Sequence, residues 1–174
     1  MTFPRVIKYY FIRFIRLKGE PPELALGMAL GIFSGMMPTI PFHMVSAIAM
    51  ALIFKGSKIT AALGTWVSNP LTWAGLYYFN YKIGAGILGL SENNRGFSSI
   101  METVQQHDEG MVIFTKIISA GSSIVGAFLI GGVIMGIVAA VPSYFIFLKI
   151  FRIIKVWRER RRTLKQLNKG ASER

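Results

Sequence analysis

The sequence predicts an all-α integral membrane protein in which broken or re-entrant helices accompany transmembrane helices, with amphipathic basic helices at both ends. Of its 174 residues, 52% are hydrophobic, which is more apolar surface than one soluble core of this size can bury. The formal net charge is +12, and the Lys and Arg residues crowd the two ends, as on cytoplasmic flanks beside anionic headgroups. We therefore expect anionic membrane lipids as partners, and no nucleic acid.

The N-terminal segment, residues 1–19, alternates aromatic or aliphatic residues with Arg and Lys. This spacing suits an amphipathic helix that lies in the membrane interface. Glu20-Pro21-Pro22-Glu23 then predicts a new helix, because prolines fit a first helical turn and acidic residues stabilise its positive end. A single membrane domain is predicted over residues 20–150.

The first apolar stretch, Leu24 to Phe54, contains no Lys, Arg, Asp or Glu, but Pro38 and Pro41 break it at residues 38–41. Each half is roughly 20 Å long as a helix, whereas about 30 Å is needed to span the hydrocarbon core. One arrangement is a re-entrant hairpin with the turn at Lys55–Lys58 on the cytoplasmic side. The other is one long, tilted span with a proline kink.

A second break is predicted at residues 69–70. Asn69 suits the N-cap of a helix and Pro70 suits its first position, so this break also starts a helix cleanly. The apolar segment that follows, up to Leu90, is long enough to cross a membrane.

The second half of the chain predicts the rest of the topology. Residues 91–110 are the most polar internal segment and are predicted to form an external loop. The apolar stretch from Ser122 to Leu148 then returns the chain to the cytoplasm, where residues 151–174 form a basic tail. Both termini are therefore predicted to be cytoplasmic.

Three glycines at four-residue spacing, Gly27, Gly31 and Gly35, share one face of the first helix. Small residues in this pattern let another helix approach closely. The predicted contact lies either within the chain or between copies in a homo-oligomer.

The two breaks form the candidate binding site. Prolines at membrane depth release backbone groups that only protein, water or a ligand can satisfy, and His43 is the sole ionisable side chain between Glu23 and Lys55. Each break begins a helix, whose first turn carries free amides and positive dipole charge. Two such ends would bind an anion through Pro38, Thr39, Pro41, Phe42, His43, Thr65, Trp66, Asn69, Pro70 and Thr72.

A structural role explains the same residues. His43 can hydrogen-bond the freed carbonyl of Met36 or Met37, while Asn69 and Thr72 can satisfy the backbone of a kink. At the level of the sequence both interpretations stay open.

Enzyme signatures are missing from the sequence. It has no cysteine, no paired carboxylates within the membrane segments, no phosphate-binding glycine loop and no His cluster at metal-ligand spacing. His107-Asp108-Glu109 fits a solvated surface better than a ligand set. We expect no enzymatic activity, no cofactor and no metal.

Two motifs carry a resemblance to a known family: Gly27-x-x-x-Gly31-x-Phe33-x-Gly35-x-x-Pro38-x-x-Pro41-Phe42-His43 and Gly64-Thr65-Trp66-Val67-x-Asn69-Pro70-x-Thr72. Together they resemble a bacterial membrane-protein family catalogued as domain of unknown function two thousand sixty-two. The likeness covers roughly residues 5–160. It implies a multi-pass protein of the bacterial inner membrane, sometimes linked to glycosyltransferase domains, and brings no established activity.

The residues themselves then suggest two functions. The first is a carrier or binding module for an anionic lipid or similar solute, which binds where the half-helix N-termini converge. The alternative is a non-transporting membrane scaffold or assembly partner for cell-envelope enzymes, with the glycine face as its docking surface.

Overall fold

The computed structural model describes residues 19–39, 42–90, 95–106 and 108–172, with backbone alone at 70, 162 and 164–172. These residues form helices joined by short connections, and no strand occurs within these ranges, which confirms the all-α class. The helices are α1 Pro21–Met36, α2 His43–Ile53, α3 Lys58–Gly64, α4 Pro70–Leu88, α5 Arg95–Gln105, α6 Gly110–Ser119 and α7 Ser122–Ser172, with a 3-10 turn at Thr65–Val67. The interfacial helix predicted for residues 1–19 falls almost wholly outside the described residues, as does Pro41.

Helices α1 and α2 form an antiparallel hairpin. Helix α1 begins with Pro21 in its first turn beside Glu23 and ends at Met36, shortly before Pro38, as a following proline favours. After α2, the backbone N–H of Ser57 donates to the carbonyl of Glu23 at 3.0 Å. The chain has therefore returned to the start of α1, so the structure has the hairpin and not the single kinked span.

Helix α3 runs parallel to α1 in close backbone contact. A Cβ built on Gly27 would collide with Thr60 Oγ1 and Ser57 O, and one built on Gly31 would collide with the carbonyl of Ala61. The glycine pattern therefore serves helix packing as predicted, and the contact lies within the chain.

Helix α4 starts with a full capping box. Asn69 Oδ1 accepts from the backbone N–H groups of Leu71 and Thr72, and Thr72 Oγ1 accepts from the N–H of Asn69. The predicted N-cap is confirmed. The helix ends at Gly89, which adopts the left-handed conformation that favours glycine.

The segment 91–110, predicted as a polar loop, holds helix α5 instead. Its acidic residues suggested a loop, but Phe97, Ile100 and Val104 recur at helical spacing and pack into a core with α4, α6 and α7. This stripe is the pattern of an amphipathic helix. The prediction therefore weighed the acidic face and overlooked the apolar one.

Helix α7 contains 51 residues, roughly 76 Å at about 1.5 Å per residue, and it contacts both α4 and α1. Its Ala127 faces Gly84 and its Gly131 faces Asn80, so α7 runs antiparallel to α4. Further along it packs antiparallel to α1, where Phe151 meets Leu24 in a second core. Because α7 continues past residue 150, the basic tail shares one helix with the membrane domain.

Candidate functional site

Two buried polar side chains hold the first break in place. Ser34 Oγ donates to the carbonyl of His43 at 2.6 Å and contacts Ser46 Oγ. Asn80 Nδ2 reaches across from α4 and donates to the carbonyl of Met36 at 2.8 Å. The structural interpretation had given the Met36 carbonyl to His43. The structure assigns it to Asn80.

The face of α4 around Asn80 carries two more polar aromatic residues. Trp73, Tyr77 and Asn80 follow at i, i+4 and i+7, which places them on one side of a helix. Tyr77 and Asn80 are 2% and 1% exposed. The backbone of α7 can approach this face because Gly131 has no side chain there.

Polar atoms without a partner mark this region. Each is buried and has no hydrogen-bond partner in the described part of the chain: Thr39 Oγ1, His43 Nδ1, Trp73 Nε1, Tyr77 OH and Asn80 Oδ1. A buried polar group left unpaired costs about 1–3 kcal/mol. We call these five residues the polar junction, because they lie where the first break meets α4.

The first break is anchored to α7 as well as to α4. Pro38 lies 3.0 Å from a Cβ built on Gly132, the residue next to Gly131. Phe42 is half-exposed and stacks edge-on against Phe114 of α6 with 5.6 Å between ring centroids. The predicted residues Pro38, Thr39, Phe42 and His43 thus share one region.

The second break contributes its beginning to this region but not its helix start. Gly35 lies against the 3-10 turn, with a built Cβ 3.4 Å from Thr65 O. Thr65 Oγ1 donates to the carbonyl of Ala62 at 2.7 Å, which satisfies its own turn. Trp66 and Leu71, further along, are 65% and 87% exposed.

The capping box also occupies the amides that an anion would need. The N–H groups of Leu71 and Thr72 both donate to Asn69 Oδ1, at 3.0 and 3.1 Å, and Pro70 has no N–H to offer. Asn69 and Thr72 therefore satisfy the backbone of the second break, as the structural interpretation had it. The start of α4 carries no free amide for a ligand at these positions.

Sequence reasoning missed Trp73, Tyr77 and Asn80. A signal for them existed, because they form a polar stripe at helical spacing inside an apolar segment, and polar residues at membrane depth are functional candidates. The prolines of the breaks drew attention away from that stripe.

In the described ranges, no three His, Asp or Glu side chains come together as a metal-binding group. Many large apolar side chains are exposed on α2, α4 and α7. Within α7, residues Ser122–Arg161 make the one described helix that is long and apolar enough to cross a membrane, with a mean hydropathy of 2.6. The fold and site thus define an all-helical protein with one helix fit to span a bilayer.

The chain belongs to the bacterial family DUF2062, described as an uncharacterized protein conserved in bacteria, whose family model matches residues 4–162. This match confirms the resemblance seen in the two sequence motifs. No curated protein and no solved structure matches the chain.

Proposed function

We propose that this chain is a multi-pass protein of the bacterial inner membrane that binds an anionic lipid or similar solute at the polar junction. The observation that carries the proposal is the set of buried polar atoms without partners on Thr39, His43, Trp73, Tyr77 and Asn80. In a bilayer, water cannot reach such groups freely, so a bound molecule is the natural partner for them.

The exposed apolar surface supports a membrane location. In the most apolar part of α7 only 33% of the residues are buried, whereas the core helix of a soluble protein is mostly covered. Large exposed apolar patches mark sites that meet lipid or protein. The hairpin of α1 and α2 is too short to span in either half, so it fits a re-entrant element with its tip at the polar junction.

The chemistry of the junction suits an oxygen-rich headgroup. Trp73 Nε1 and the hydroxyls of Thr39 and Tyr77 can donate hydrogen bonds, and so can His43 when Nδ1 is protonated. Hydrogen bonds to a charged acceptor are about twice as strong as neutral ones. Headgroup phosphate oxygens would therefore satisfy several of these atoms at once.

The scaffold alternative has less support. Its proposed docking surface was the face of Gly27, Gly31 and Gly35, and that face is covered by α3 and the following 3-10 turn. A scaffold would have to use other exposed apolar surfaces.

Removal of one hydroxyl tests the site with little disturbance. Tyr77→Phe deletes an oxygen that has no partner in the described chain, so the fold should keep its stability while retention of phosphatidylglycerol falls. His43→Ala should act in the same direction. The loss of one hydrogen bond to a charged group costs about 1.5–3 kcal/mol, which is roughly ten- to a hundredfold in affinity. Native mass spectrometry of the purified protein measures the retention.

Two matched variants complete this test. Tyr78→Phe removes a neighbouring hydroxyl that faces Lys82 at the surface, and it should leave retention unchanged. Asn69→Ala should lower stability by about 1 kcal/mol through loss of the cap, without releasing lipid. Equal retention in the wild type, Tyr77→Phe and His43→Ala would refute the site.

Single-cysteine labelling tests the topology, and the natural chain has no cysteine to interfere. The charge bias predicts a cytoplasmic turn at Ser57 and an external position for Ser99. In intact cells an impermeant maleimide should therefore label Ser99→Cys and spare Ser57→Cys until the membrane is permeabilised. The opposite pattern would invert the proposed topology.

A further inference from the structure

A groove of about 370 Å³ runs along one side of the contact between α1 and α7. All of the side chains that line it are aliphatic or aromatic: Leu26, Ala29, Leu30, Phe33, Ile137, Ala140, Val141, Tyr144 and Phe145. No charged residue is among them, so the groove suits a hydrocarbon ligand.

One end of this groove adjoins the polar junction. Phe33, at the upper end of the groove, packs on Gly136 of α7, and Pro38 lies against Gly132 one turn earlier. Gly131 is the next residue, and it contacts Asn80. The distance along α7 from Gly136 to Gly132 is roughly 6 Å. The apolar groove and the unpartnered polar atoms are therefore continuous.

The width of the groove selects among apolar occupants. From Leu26 to Phe33 its length is roughly 10 Å at about 1.5 Å per residue. The volume of about 370 Å³ divided by that length gives a cross-section of roughly 37 Å², equivalent to a width near 6 Å. A helix with its side chains is about 10–12 Å across and does not fit. A single hydrocarbon chain does.

We infer that the groove receives one acyl chain of the lipid whose headgroup occupies the polar junction. This inference rests on the proposed function, because the headgroup fixes the depth at which the chain enters. It narrows the ligand class to amphiphiles with a flexible hydrocarbon chain, and it sets aside water-soluble anions. The shared chemistry is a phosphate headgroup, and the chain decides between the two sources.

The test fills the groove after the protein has folded. Val141→Cys lines the groove and Val138→Cys lies two residues away outside it; the valines are 53% and 66% exposed, so a reagent reaches both positions. Each purified variant is treated with benzyl methanethiosulfonate, which adds a benzyl group to its only cysteine. Native mass spectrometry then measures retention of phosphatidylglycerol with palmitoyl and oleoyl chains, and of its deacylated headgroup, glycerophosphoglycerol.

Benzylation of Val141→Cys should lower phosphatidylglycerol retention at least about tenfold, because each buried methylene contributes a factor of about four in affinity. Benzylation of Val138→Cys should change nothing, and glycerophosphoglycerol should bind equally to both labelled variants. Tight binding of glycerophosphoglycerol at the level of the intact lipid would overturn the inference.

The result also separates the groove from the headgroup site. If benzylation of Val141→Cys has no effect while Tyr77→Phe releases phosphatidylglycerol, the groove is wrong and the proposed function stands. If benzylation releases the lipid but Tyr77→Phe and His43→Ala retain it, the polar junction is not the headgroup site and both proposals fall.

Discussion

Replacing Gly31 with Leu is expected to destabilise the fold by about 3 kcal/mol, the upper end of the usual range for overpacked sites. The first atom of any side chain at this position would overlap the carbonyl of Ala61, and it would lie 2.8 Å from the Cα of Gly64. Both obstacles belong to the backbone, so no rotamer change can relieve them. Helix α3 would have to move away from α1, and denaturation of the detergent-solubilised protein followed by circular dichroism would record the loss.

Gly75→Leu is the matched control for this variant. A Cβ at Gly75 meets no atom within 4 Å, and Leu favours a helix interior over Gly by up to about 1 kcal/mol. The control should therefore be neutral or slightly stabilising. Equal stability of Gly31→Leu and Gly75→Leu would show that α1 and α3 do not pack at backbone distance.

Local features of this fold could be predicted from the sequence. The cap at Asn69 and the start of α4 at Pro70 depend on residues within a single turn, so the residue types alone determine them. The glycine spacing at Gly27, Gly31 and Gly35 likewise indicated a close helix contact. In both cases the physical cause lies within a few residues of the feature.

Features that depend on distant residues could not be predicted. The hairpin is decided by the hydrogen bond between Ser57 and Glu23, and nothing within the stretch Leu24 to Phe54 chooses it over a kinked span. The carbonyl of Met36 finds its donor on Asn80, 44 positions away. The sequence indicated that a freed carbonyl at the first break would need a partner, and the tertiary fold supplies one that is not local.

The candidate site changed for the same reason. Two converging helix starts were expected, but the amides at one of them are used by its own capping box. The buried donors and acceptors come instead from the middle of α4, where Tyr77 and Asn80 face the first break. Only the packing of α4 on α7 determines which polar residues of that helix are buried.

That packing links stability to the site, and Gly131→Ala is expected to affect both. A Cβ on Gly131 would overlap the carbonyl oxygen of Asn80 and lie 2.6 Å from its carbon. Helix α4 would have to shift at the residue that donates to Met36. We expect a loss of about 2 kcal/mol in stability, together with a fall of roughly tenfold or more in phosphatidylglycerol retention, since the junction loses its alignment.

Gly126→Ala in the same helix separates this effect from a general response to alanine. Its Cβ would meet only Leu88 Cδ1, at 3.7 Å, which is ordinary contact with a flexible side chain. Both substitutions gain the same helix propensity, so any difference between them comes from the contact with Asn80. Chemical denaturation and native mass spectrometry of the folded fraction should show losses in Gly131→Ala alone. If Gly131→Ala is less stable yet retains the lipid like Gly126→Ala, the position of Asn80 does not matter for binding, and the headgroup must be held elsewhere.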